Sequence, residues 1–202
     1  LIDGAELEVR RDVGGHIYIG GLNVGAQRPD ADDSAAVDWF FGQGEFVIRG
    51  GHLSWIDQQR AAAPLALADV QLVVRNGLRS HEIRIDATPP ADWGDRFTLT
   101  GRFTQPLFAR NGDWRRWSGS AYVNLPRADV RELRQYLDMP FELSEGAGAL
   151  RGWFDVKNGE PAAATVDLAL RAVTLRLAAN VEPLKVEEVQ GRVLAQHTDE
   201  GT

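Results

Sequence analysis

VQLVVRNGLRSHEIRI, residues 70–85, is the stretch of sequence that decides the fold. Val70, Leu72 and Val74 occupy every second position before Asn76-Gly77, and Ile83 and Ile85 do so after it. A period of two places alternate side chains on opposite faces of a β-strand. Asn-Gly is a favoured dipeptide in the tight turns that join antiparallel strands. The stretch therefore predicts a β-hairpin with one apolar and one polar face.

The same alternation recurs along the rest of the chain and predicts eleven or twelve strands. Asn111-Gly112 and Asn158-Gly159 are further turn signals, and Pro89-Pro90 interrupts another connection. Successive strands joined by short links favour an antiparallel meander. The further runs contain Leu7 and Val9, Ile17 and Ile19, Phe46 and Ile48, Leu53 and Trp55, Phe97 and Leu99, Val123 and Leu125, Leu150 and Phe154, Val166 and Leu168, Leu175 and Leu177, and Leu184 and Val186.

Two segments depart from this period and predict short helices. In the first, Asp33-Ser34 can cap a helix that runs to Phe41, with Gly42 just beyond its end. The second covers residues 127–138, where Val130, Leu133 and Leu137 fall at helical spacing and Pro140 follows. Both are expected to pack against the sheet.

The strands present more apolar area than two short helices can cover. Three arrangements are open to such a sheet: it can fold over as a sandwich, close as a barrel, or stay open with an apolar face for a ligand. Alternation alone does not distinguish them, because each requires one apolar face per strand.

Composition narrows the classes of function. The 202 residues carry a net charge of −7, which disfavours nucleic acid as a partner. There is no cysteine, and the four histidines are not spaced as metal ligands; three of them lie at the polar phase of strand-like runs. Neither a nucleophile elbow nor a phosphate-binding loop occurs. We therefore predict no enzyme activity, no catalytic residue, no metal and no cofactor.

Several segments combine hydrophobic alternation with Trp, Gly and Asp at particular places. They are FVIRGGHLSWID at 46–57, PLALADVQL at 64–72, HEIRI at 81–85, WSG at 117–119, DVREL at 129–133 and GAGALRGWFD at 146–155. In this order they resemble the AsmA-like, YhdP-type family of Gram-negative envelope proteins. The resemblance covers residues 37–193.

The resemblance implies a function in lipid transport. Such proteins are long and periplasmic, are anchored in the inner membrane by one N-terminal helix, and carry phospholipid between the inner and outer membranes along an apolar trough. By this resemblance residues 1–202 are a single β-rich module, a fragment of a longer chain. Its partners would be phospholipid acyl chains, with membrane contact made by parts of the full-length protein outside these residues.

The leading hypothesis is therefore a mainly β, extended antiparallel meander sheet, curled into an open trough with one or two short helices, that conducts phospholipid. The alternative is a non-catalytic β-sandwich that serves as a scaffold or protein-interaction module of the cell envelope. The candidate lining residues of the trough come from successive strands. They are Val70, Leu72, Val74, Ile83, Ile85, Phe97, Leu99, Phe103, Val166, Leu168, Leu170, Leu175 and Leu177.

Overall fold

The structure, a computed structural model, describes residues 1–24, 31–136, 142–176 and 180–196. Within these residues twelve strands and two α-helices account for most of the chain, so the prediction of a mainly β protein is confirmed. The helices are α1 (Ala31–Gly42) and α2 (Val130–Leu133), and a 3-10 turn covers Trp114–Arg116. The strands are β1 (Ile2–Asp3), β2 (Glu6–Arg11), β3 (Ile17–Ile19), β4 (Leu22–Asn23), β5 (Glu45–Asp57), β6 (Leu65–Asn76), β7 (Ser80–Thr88), β8 (Phe97–Thr104), β9 (Ser118–Asp129), β10 (Glu142–Lys157), β11 (Glu160–Arg176) and β12 (Leu184–Gln196).

All twelve described strands belong to one sheet. Strands β5 to β12 follow one another in sequence order as an antiparallel meander, and β2, β3 and β4 continue the sheet beyond β5. The path runs from β12 at one edge to β4 at the other, and the sheet is not closed into a barrel. Because the described residues form a single sheet, they do not build the sandwich that the sequence had left open.

The sheet is mixed rather than wholly antiparallel, which corrects the predicted meander near the N-terminus. Strand β2 pairs with β5 in parallel, with Glu6 opposite His52 and Val9 opposite Trp55, and β1 is also parallel to β5. The chain reaches β5 only after β3, β4 and α1, so it returns to the sheet in the direction of β2. A tight hairpin cannot make a parallel pair, and this longer connection can.

A salt bridge fixes the parallel pair of strands. The Asp57 carboxylate, only 1% exposed, accepts hydrogen bonds from Nε and Nη2 of Arg11 on β2. It also accepts the backbone N–H of Arg60 at 3.1 Å, which closes the turn after β5. The same carboxylate thus closes a turn and holds β5 to β2, and the sequence had not indicated the ion pair to Arg11.

Helix α2 is shorter than the predicted helix over 127–138. Strand β9 extends through Asp129, since Ala128 and Asp129 pair with Gly148 and Ala147 of β10. The Asp129 carboxylate then accepts the backbone N–H of Arg131 and begins the helix. Strand pairing therefore removes the first three residues of the predicted helix. Residues 137 and 138 lie outside the described residues. The first predicted helix is present, but α1 begins at Ala31, so the predicted cap at Asp33-Ser34 is wrong, and the helix includes Gly42.

The Asn-Gly signals all fall in connections between strands. Asn158 and Gly159 have φ values of 51° and 73°, a left-handed pair that joins β10 to β11 as a two-residue hairpin. Asn76-Gly77 opens the turn from β6 to β7, closed by the Gly77 N–H to the Ser80 carbonyl at 2.7 Å. Asn111-Gly112 lies within a longer loop between β8 and β9. Turn residues in the sequence therefore specify connections of the meander from β6 onward.

Candidate functional site

One face of the sheet carries a continuous apolar row across eight strands. Residues that pair directly in a ladder share a face, so the strand register defines the row. Its members, in order from β5 to β12, are Ile48, Leu72, Ile85, Leu99, Val123, Gly152, Val166 and Val193. Seven steps of about 4.8 Å give a row about 34 Å long. It runs across the strands, along the length of the sheet.

Neighbouring rows on the same face are also apolar. Towards the α1 end of the strands, the next row is Phe46, Val74, Ile83, Gly101, Ala121, Phe154, Ala164 and Ala195. Towards the α2 end, Leu125 pairs with Leu150, which pairs with Leu168. We call this surface the apolar face. It unites runs that are separated by up to about 150 residues in the sequence.

Twelve of the thirteen candidate lining residues fall on this face, and they differ in burial. Val70, Val74 and Leu170 are fully buried, and Leu177 lies outside the described residues. The remaining nine are half-buried: Leu72, Ile83, Ile85, Phe97, Leu99, Phe103, Val166, Leu168 and Leu175. The structure thus brings the set together on one surface. That these residues line a lipid path stays a prediction.

Two clusters cover the apolar face near α2. In one, Val130 of α2 packs with Leu143, Leu170 and Val173, and Leu168 lies against them. In the other, Leu67, Val70 and Ala87 pack together beneath Phe97. At this end the apolar side chains are therefore covered by protein.

An aromatic cluster covers the apolar face at the opposite end, beneath α1. The Phe41 ring meets the Trp117 ring edge-on at 4.8 Å between centroids, and Phe40 meets Phe46 in the same way at 4.7 Å. His81 stacks on Trp117 with ring centroids 3.8 Å apart and planes 8° from parallel. The expectation that strand histidines would lie at polar positions is wrong for His81, which is 1% exposed. The signal that could have revealed it is its spacing of two from Ile83.

Two side-chain amides contact the ring nitrogens of His81, and the neutral ring can donate a hydrogen bond to only one of them. Nδ1 lies 2.8 Å from Oδ1 of Asn76, and Nε2 lies 3.2 Å from Oε1 of Gln105. Burial lowers the pKa of His81 below 6.5, and the contact with Gln105 only partly opposes that effect. The folded protein therefore favours the neutral ring.

We expect the free energy of unfolding to fall as the pH drops below 6.5. The unfolded chain then takes up a proton at His81 that the folded chain resists, at a cost of up to about 1.4 kcal/mol per pH unit. Above the unfolded pKa this loss is absent. Urea unfolding of the wild type and of His81→Gln, at pH 7.5 and at about pH 5.5, measures the effect. An equal pH dependence in both proteins would rule out His81 as its source.

Between the two covered ends part of the central row is open to solvent. Ile48 and Gly152 are buried, whereas Leu99, Val123 and Val166 are half-buried although they lie in the middle of a large sheet. We call the half-buried part of the central row the open strip.

Phenylalanine rings cover two glycines of the apolar face. A Cβ atom on Gly101 would lie 2.5 Å from the ring of Phe103, and one on Gly152 would lie 2.7 Å from the ring of Phe154. Each phenylalanine therefore lies over the glycine two residues before it, and both glycines are buried. A larger residue at either glycine would displace a ring.

The sequence had not placed Val123, Leu125, Leu150 and Phe154 in the candidate set, although they belong to the same rows. They show the same alternation as the chosen residues, so the signal was present. What identifies them as members is the register, which aligns their strands with β8 and β11.

The described residues contain no group of three or more His, Cys, Asp or Glu side chains placed to hold a metal ion. Among the same residues, no helix is long and apolar enough to cross a lipid bilayer. The candidate site is the apolar face defined above.

Comparison with known proteins gives one match. A family model described as YhdP protein matches residues 1–201. Neither the curated proteins nor the solved structures contain a match to this chain.

Proposed function

The chain belongs to the YhdP protein family, and on that premise we propose that its apolar face conducts phospholipid between the inner and outer membranes. The observation that carries the proposal is the apolar row across eight strands, about 34 Å long, which is partly open to solvent at Leu99, Val123 and Val166. The row lies along the sheet, so a molecule that follows it passes from strand to strand.

Acyl chains match the chemistry of this strip. The central row consists of aliphatic residues and one glycine. Its side chains therefore bind apolar groups and offer no hydrogen bonds. Covering apolar surface contributes about 25 cal/mol per Å² whatever the detailed shape of the ligand. A flexible acyl chain can therefore bind at any place along the row and move between equivalent places. The charged head group would remain in water above the open strip.

Transfer of this kind is non-covalent and needs no catalytic group. We place the protein in the periplasm, where a path between two membranes is required, with an inner-membrane anchor in the full-length protein. The clusters under α1 and α2 confine the open strip to the middle of the sheet.

Purified protein is expected to carry phospholipid. Protein isolated from a Gram-negative host without harsh detergent should yield phospholipid on solvent extraction, at one molecule or more per chain, detected by mass spectrometry. Native mass spectrometry should show the same lipid as a mass increment. Lipid-free protein that also fails to take up a fluorescent phospholipid from vesicles would overturn the proposal and favour a scaffold or interaction module.

A further inference from the structure

The polar face of the sheet, opposite the apolar face, contains a groove of about 530 Å³. It lies over β6 to β10, and its walls include Thr100, Arg102, Ser120, Tyr122 and Trp153. The volume falls within the usual range for small-molecule sites, which is about 300–1,000 Å³. Ile83, Gly101, Ala121 and Phe154 of the apolar face also line it, and the other ten lining residues lie on the polar face.

An aromatic pair forms the apolar part of the groove. Tyr122 of β9 and Trp153 of β10 are direct cross-strand partners, with ring centroids 5.3 Å apart and planes at 44°. Trp153 is 40% exposed, and apart from Val73 the other groove residues on this face carry charged or hydroxyl side chains. A cross-strand aromatic pair stabilises the sheet by itself, but that role does not require an exposed ring surface. The pair offers a flat apolar platform to a ligand.

The charges of the groove are largely balanced. Arg102 pairs with Glu82 at 3.3 Å, Arg84 with Asp86 at 2.7 Å, and Arg75 with Glu45 at 2.8 Å between nitrogen and oxygen. Each arginine thus faces a carboxylate of the protein. A phosphate or carboxylate ligand would have to compete for these arginines, so the groove does not favour an anion.

Several polar groups around the platform are free to bind a ligand. Among the described residues, the side-chain oxygens of Thr100, Ser120, Tyr122 and Asp155 make no hydrogen bond to the protein. Hydroxyl groups both donate and accept, and a carboxylate accepts. A ligand for this groove therefore combines an apolar face with many hydroxyl groups and no net charge.

We propose that this groove binds a neutral saccharide chain. A pyranose ring presents a face of C–H groups that can pack on Trp153 and Tyr122, while its hydroxyl groups reach Thr100, Ser120 and Asp155. The two faces of the sheet would then have separate ligands, with lipid on the apolar face and glycan on the polar face.

Titration with neutral oligosaccharides tests this proposal. Tetramers of N-acetylglucosamine and of β- and α-linked glucose are added to the protein, with binding followed by tryptophan fluorescence and by calorimetry. We expect saturable binding of at least one of them. Trp153→Ala should weaken that binding about tenfold or more, because it removes the stacking surface. Trp39→Ala is the matched control, since Trp39 is 64% exposed on α1 and lies outside the groove.

Two results would overturn the proposal: no saturable binding by any of the sugars at millimolar concentration, or equal binding by Trp153→Ala and wild type. Circular dichroism checks that the variants fold. If Trp153→Ala does not fold, Asp155→Ala on the exposed end of the groove replaces it, with the same expected loss. Phospholipid content, measured in parallel, is expected to stay unchanged, so this test is independent of the lipid proposal.

Discussion

Val166→Asp is expected to reduce bound phospholipid about tenfold or more while leaving the protein folded. Val166 lies in the central row between Gly152 and Val193, and its side chain is half-buried. In the lipid-free protein the new carboxylate remains in contact with water. An acyl chain over it would exclude that water, and a buried unpaired charge costs several kcal/mol. A tenfold loss corresponds to about 1.4 kcal/mol.

Thr165→Asp is the matched control for this substitution. Thr165 is the preceding residue on β11, is also half-buried, and points to the polar face opposite Trp153. The substitution introduces the same charge at the neighbouring position of the same strand, but on the opposite face. The Thr165→Asp variant should therefore retain the wild-type lipid content. Extraction of lipid from the two variants and the wild type measures the difference. A folded Val166→Asp that holds as much phospholipid as Thr165→Asp would remove this part of the row from the lipid path.

Position 166 is more informative than some other members of the candidate lining. Leu168 lies against the buried cluster of Val130, Leu143, Leu170 and Val173. A charge there would disturb the cluster and could unfold the protein, so loss of lipid would have two explanations. Val166 is two residues away on the same face and lies outside the clusters that the described residues form.

Asp57→Ala is expected to lower the free energy of unfolding by about 3 kcal/mol or more. The substitution leaves Arg11 without its partner in the sheet and removes the acceptor for the Arg60 N–H. Burial opposes ionisation of Asp57, but hydrogen bonds from Arg11 and Arg60 outweigh it and lower the pKa of the carboxyl below 3.8. The stabilisation is therefore fully present above pH 3.8 and is lost as the pH falls through the lower folded pKa.

Urea unfolding followed by circular dichroism measures this loss at pH 7. Arg75→Ala is the control, because the Arg75–Glu45 pair is about as short but both side chains are more than half exposed. An exposed pair of this kind contributes at most about 1 kcal/mol. A similar small change in both variants would show that the buried pair does not hold β2 against β5.

The two faces of the sheet constrain each other through strand register. Glu45, Arg75, Glu82 and Arg102 form a row of alternating charge on the polar face, one residue along each strand from the apolar row that begins at Phe46. A slip of one residue between strands would place these charges on the apolar face. The ion pairs on the polar face thus help to keep the apolar row continuous, whatever that row binds.

Local sequence determined much of this protein. Period-two alternation predicted the strands from β5 to β12, because each strand must separate apolar and polar side chains. Asn158-Gly159 determined a hairpin, because both residues adopt positive φ there. Resemblance at a few Trp, Gly and Asp landmarks identified the family that residues 1–201 match.

Only the tertiary structure decided the features that depend on distant residues. The parallel pairing of β2 with β5 joins Arg11 to Asp57 across 46 positions, and no local pattern specifies such a partner. Helix α2 begins three residues later than predicted because Ala128 and Asp129 pair with β10. His81 follows the apolar alternation, yet its burial required Phe41 and Trp117 from other elements. Alternation likewise shows which side chains of one strand share a face. The register between neighbouring strands then aligns these side chains into a row across eight strands. That register depends on the whole sheet and not on any one strand.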